Sequence, residues 1–101
     1  MKLGVYAVYD AAVGAYLNPF YARARGEALR SFSQACNDEK HQFALHARDY
    51  MLFELGTFDD SNGSFETPAV PVRVIDAVSC RVDAVEEQQL HGPGERLRKI
   101  M

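Results

Sequence analysis

The five residues Asp59-Asp60-Ser61-Asn62-Gly63 constrain the fold more than any other part of this chain. Asn-Gly accepts the positive φ of a tight reversal, and Asp and Asn side chains bond to the nearby backbone. Before the turn lies Tyr50-Met51-Leu52-Phe53-Glu54-Leu55-Gly56-Thr57-Phe58, an apolar, aromatic strand pattern; after it, Ser64-Phe65-Glu66-Thr67 returns. Strand, tight turn and strand make a hairpin, so the sheet is expected to be antiparallel.

The opening residues predict a second hairpin. Leu3, Val5, Ala7 and Tyr9 share one face of a strand, and Gly4, Tyr6 and Val8 share the other. Both faces are largely apolar, which suits a strand covered on two sides, or on one side plus a partner. A homodimer is therefore expected. Asp10-Ala11-Ala12-Val13-Gly14 reads as the reversal, and Ala15 to Ala24 as the returning strand. Pro19 cannot donate to a ladder, so that strand is expected to be short or kinked near Asn18-Pro19.

Between the hairpins, residues 26–37 predict a helix. Ala28, Leu29, Phe32, Ala35 and Cys36 recur at helical spacing, Glu27 suits the first turn, and Asn37-Asp38 is a stop. The expected fold is α+β, a ββαββ core over residues 1–67 with the helix lying on an antiparallel sheet. Met51, Phe53 and Leu55 share a parity and are expected to form the layer facing Phe32. Residues 68–101 read as an extension, either an added edge strand or an arm; 82–90 contain helix-friendly residues, and a short basic cluster follows. No internal repeat stands out.

Composition narrows the classes. Hydrophobic residues make up 48% and charged residues 25% of the 101, the proportions of a folded protein. No apolar run is long enough to span a bilayer, and the first residues run straight into a strand without a targeting pattern. Eleven Lys+Arg against fourteen Asp+Glu leave a net charge of −3, which excludes a generally basic nucleic-acid coat but not a local basic face.

Three groups of residues invite a chemical reading. Arg23, Arg25 and Arg30, interleaved with Tyr16, Phe20 and Tyr21, suit a strip on which arginines track phosphates and rings stack on bases of a single strand. The alternative is a solvated surface over buried rings. Cys36, His41 and His46 are metal-ligand types, but they fall short of four ligands at recognisable spacing, and no metal or other cofactor is expected. Asp10, Asp59 and Asp60 stand at strand ends, where turn formation accounts for them as well as acid–base or magnesium chemistry does. With no nucleophile, phosphate-loop, dinucleotide or zinc-protease motif, no enzyme is expected.

Taken in order, Gly26-Glu27-Ala28-x-Arg30-x-Phe32, Asn37-Asp38, His46-x-x-Asp49-Tyr50-x-Leu52-Phe53-x-Leu55-Gly56-x-Phe58-Asp59, Gly63 and Phe65 form a set that resembles the small non-structural protein of gokushoviruses. These are microvirus-type phages with circular single-stranded DNA genomes. Val5-Tyr6, Val8-Tyr9-Asp10 and Tyr16-Leu17-x-Pro19-Phe20 are similar too, so the resemblance covers about residues 1–67. It implies a protein of the host cytoplasm, absent from the mature virion, acting in viral DNA replication or packaging. Its partner would be single-stranded DNA or, alternatively, a viral or host replication protein. It carries over no catalytic motif. The chain departs from the family pattern at Ala47, where relatives tend to have proline, and in residues 68–101, which extend beyond the usual end.

Overall fold

The computed structural model describes residues 1–81. Two long strands form its centre: β1 (Lys2–Asp10) and β4 (Tyr50–Asp59), paired antiparallel along their whole length, from Lys2 opposite Asp59 to Asp10 opposite Tyr50. Each carries a broken strand on its outer side. β2 (Ala15–Tyr16) and β3 (Phe20–Ala22) both pair with β1; β5 (Ser64–Glu66) and β6 (Val72–Asp76) both pair with β4. All pairings are antiparallel, which makes the fold α+β.

The breaks fall where the sequence demands them. Leu17-Asn18-Pro19 separates β2 from β3, and Thr67 to Pro71, with prolines at both 68 and 71, separates β5 from β6. Residues 68–80, read from sequence as the start of an extension, thus contain an edge strand and a short helix, α3 (Ala77–Cys80), and the core runs through both. The helix-friendly stretch 82–90 and the basic end lie outside the described residues.

α1 (Arg25–Cys36) crosses one side of the sheet. Glu27 accepts the Arg23 N–H at 2.8 Å, tying the chain entry to the first turn as the acidic half of a capping box does. At the other end Asn37 donates through Nδ2 to the Ser33 carbonyl at 2.8 Å and the Cys80 carbonyl at 2.9 Å, joining α1 to α3. Arg81 donates to the Cys36 and Ala44 carbonyls at 3.2 and 3.1 Å, satisfying groups that a helix end leaves open. α2 (Gln42–Leu45) and the following 3₁₀ turn (Ala47–Asp49) deliver the chain to β4.

The buried cluster under α1 comprises Ala28, Phe32 and Cys36 of the helix, Tyr6 and Val8 of β1, Tyr50 and Leu52 of β4, and Ala22, Ala77 and Cys80. This corrects the expected facing layer. Tyr50 and Leu52 meet the helix, whereas Met51, Phe53 and Leu55 are only half-buried and do not belong to this cluster. Both parities of β4 are apolar, so periodicity carried no information on which would turn inward. Leu55 is also displaced by a bulge: Val5 opposes Gly56 and Tyr6 opposes Glu54, leaving Leu55 without a partner in β1.

Candidate functional site

Strand alternation divides the sheet into two chemically distinct faces. Tyr6, Val8 and Asp10 of β1 turn toward α1 with their β4 partners Glu54, Leu52 and Tyr50. Leu3, Val5, Ala7 and Tyr9 turn away from it with Phe58, Gly56, Phe53 and Met51. The edge strands add Tyr16 opposite Tyr9, Tyr21 opposite Val5, and Phe65 opposite Phe58 to this second face. Among the described residues no helix crosses it.

The rings on the open face gather at its two ends. At one end Tyr9 and Tyr16 have centroids 4.9 Å apart, and Phe53 lies 5.5 Å from Tyr16. At the other, Phe58 and Phe65 are 4.8 Å apart, and Tyr21 lies 5.7 Å from Phe58. Tyr16, Tyr21 and Phe65 remain 42%, 48% and 57% exposed. Between the clusters lie small residues, Val5 and Ala7 of β1 and Gly56 of β4, all three buried. A side chain at Gly56 is not possible without change: its φ is +153° and a β-carbon would run into the Glu66 carbonyl oxygen. The open face therefore carries an aromatic cluster at each end, with small buried residues between them.

Both ends are built in the same way. Asp10 Oδ1 accepts the Ala12 N–H and Asp59 Oδ1 the Ser61 N–H, each at 3.0 Å. Gly14 N–H donates to the Asp10 carbonyl and Gly63 N–H to the Asp59 carbonyl, each at 2.8 Å, with glycine φ values of 78° and 75°. The sequence repeats accordingly: Tyr9-Asp10-x-x-x-Gly14-x-Tyr16-x-x-Pro19 and Phe58-Asp59-x-x-x-Gly63-x-Phe65-x-x-Pro68. An internal repeat is present after all. Composition hid it, because Ala11-Ala12-Val13 and Asp60-Ser61-Asn62 share no residue type.

The expected cationic strip is split between the faces. Tyr16 and Tyr21 are on the open face, as just described, whereas Arg25 lies on the helix side, where its Nη2 donates to Glu54 Oε1 at 2.6 Å. That contact raises the Arg25 pKa and clamps the start of α1 to β4. Arg30 is exposed on α1, also on the helix side. Only Arg23, exposed and two residues after Tyr21, follows the open-face strand; among the described residues it makes no ion pair. Sequence reasoning also missed Tyr9, Phe53, Phe58 and Phe65 as surface rings, although the repeated Asp-x-x-x-Gly frame flags three of them.

Charge is segregated too. Asp10, Glu54 and Asp59 of the two central strands, and Glu66 of β5 opposite Thr57, all alternate to the helix side. None of the carboxylates of β1, β4 or β5 lies on the open face. Asp76 of β6, opposite Met51, does alternate to the open face, where Arg73, opposite Phe53, pairs with it at 2.9 Å.

The other candidates have structural roles. Cys36 and Cys80 are buried against one another as free thiols, and His41 Nδ1 accepts the Phe43 N–H at 3.0 Å, capping α2. Asp10 and Asp59 stand at opposite ends of the β1–β4 ladder, eight residues or about 26 Å apart at about 3.3 Å per residue. They cannot share a metal or a proton.

The family of phage ORF5 proteins matches residues 3–80, from β1 to the end of α3. The chain belongs to that family. No curated protein and no solved structure matches it. The match encloses both copies of the repeated turn, so both aromatic clusters belong wholly to the ORF5 region.

Proposed function

We propose that this ORF5-family chain is a gokushovirus-type accessory protein that binds single-stranded DNA on the open face of its sheet during genome replication or packaging. The observation that carries this reading is the placement of six aromatic rings on one face of the sheet, with Tyr16, Tyr21 and Phe65 exposed. Unpaired bases offer π-faces that stack on aromatic side chains regardless of sequence, whereas the bases of a duplex are already stacked on one another. Arg23 is placed to take a phosphate beside Tyr21; Arg25, engaged by Glu54, is not.

Binding of this kind is driven by stacking more than by charge. With one to three cations engaged, log K should fall with log salt at a slope between about −0.7 and −2. Titrating the purified protein with single- and double-stranded oligonucleotides over a salt series tests this. Preference for the single strand with a shallow slope supports the reading; equal binding of both with a steep slope opposes it.

The same face also suits a protein partner, either a second copy in a homodimer or a replication protein, because exposed Tyr and Phe are common in interfaces. Arg23, exposed beside Tyr21 and without an ion pair among the described residues, favours the nucleic acid.

A further inference from the structure

The two ends of the open face are copies of one another, and that duplication has a binding consequence. Tyr9 and Tyr16 at one end correspond to Phe58 and Phe65 at the other, with centroid separations of 4.9 and 4.8 Å. Each pair flanks a five-residue turn closed by the same aspartate and glycine contacts. Because β1 and β4 are antiparallel, the two pairs lie at opposite ends of the ladder, Phe58 opposite Leu3 and Tyr9 six residues further along β1. At about 3.3 Å per residue the pairs are about 20 Å apart.

We propose that the open face holds two quasi-equivalent base-stacking subsites, Tyr9/Tyr16 and Phe58/Phe65, bridged by one single strand of DNA. The inference rests on the DNA-binding reading above and adds its stoichiometry and polarity. The halves are related by reversal of strand direction, so a strand crossing the face meets the first pair in one chain sense and the second in the opposite sense. A site that reads phosphate direction cannot be duplicated this way. Stacking can, because a ring accepts a base from either chain direction. Arg23, exposed two residues after Tyr21, supplies positive charge for a phosphate, while Arg73 and Asp76 of β6, opposite Phe53 and Met51, pair with one another at 2.9 Å.

The subsites predict a length threshold and matched losses. Oligothymidylates from about 3 to about 16 nucleotides, a range that brackets single-strand site sizes, are titrated against the full chain. Affinity should step up once the oligomer spans both pairs. Tyr16→Ala and Phe65→Ala remove one exposed ring from each pair, and thermal melts check that both variants fold. Each should weaken binding of the long oligomer by a similar factor, about 5- to 150-fold, and abolish the step. If only one substitution weakens binding, or affinity rises with length without a step, the two-subsite inference fails while DNA binding stands. If the wild type binds no oligomer even at low salt, both fail. If light scattering shows a dimer that either substitution dissociates, a second copy occupies the face and the inference is overturned.

Discussion

Cys36 shows how far a single residue can be read. Its place on the apolar stripe of α1 was legible from helical spacing, but its neighbour was not, since Cys80 lies 44 residues away on a helix only four residues long. The contact is a property of the fold. Burial, then the nearby Cys80, pushes the Cys36 thiol up to about 12, so at neutral pH it is not a nucleophile. Thiol labelling of the native protein should therefore be very slow at Cys36 and become rapid in denaturant; fast native labelling would place the thiol at the surface. Asp76 behaves differently. Hydrogen bonds from Ser79, then Arg73, hold its carboxyl below the usual range. A carboxyl with a folded pKa below its unfolded value of about 3.9 stabilises fully above that value and ceases to do so as pH falls through the folded pKa. Acid melts should show Asp76→Asn less stable than wild type near neutrality, with the gap closing between about pH 5 and pH 2. A gap that persists to the lowest pH would assign the effect to packing.

At the scale of elements, the sequence marked what local chemistry decides and missed what only pairing decides. The α1 stripe, the break at Pro19 and the turn at Asp59–Gly63 follow from spacing, a missing N–H and positive φ. The inward parity of β4 does not, because Met51-Phe53 and Tyr50-Leu52 are both apolar and only the register against β1 chooses between them. The distinction is measurable. Leu52 is fully buried beneath α1, so Leu52→Ala should cost about 2–5 kcal/mol in urea unfolding, and Met51→Ala clearly less. The reverse order would invert the sheet relative to the helix. The repeated turns make a second test. Gly14 and Gly63 share the left-handed conformation, so alanine at either should cost about 1–2 kcal/mol, and by similar amounts. Unequal losses would mean that the turns share a sequence frame without sharing an energetic role.

For the whole molecule, two half-units packed by their long strands explain why the candidate site was only partly legible. Tyr16 and Tyr21 were recognised from sequence because arginines lie near them. The remaining rings belong to strands whose second apolar face looked like core, and only the sheet places α1 on one side and leaves the rings together on the other. Arg25 and Arg30 followed the opposite course, adjacent in sequence to the tyrosines but carried by α1 to the far side. The proposed binding therefore rests on the sheet face and not on the run of arginines. The most direct measurement is an NMR titration of the aromatic and guanidinium resonances with an oligothymidylate. The rings of Tyr9, Tyr16, Tyr21, Phe53, Phe58 and Phe65 should shift with the strand, while Phe32, Tyr50 and the Arg30 guanidinium stay in place. Shifts confined to Arg25, Arg30 and the exposed side of α1, with the open-face rings unmoved, would contradict the account.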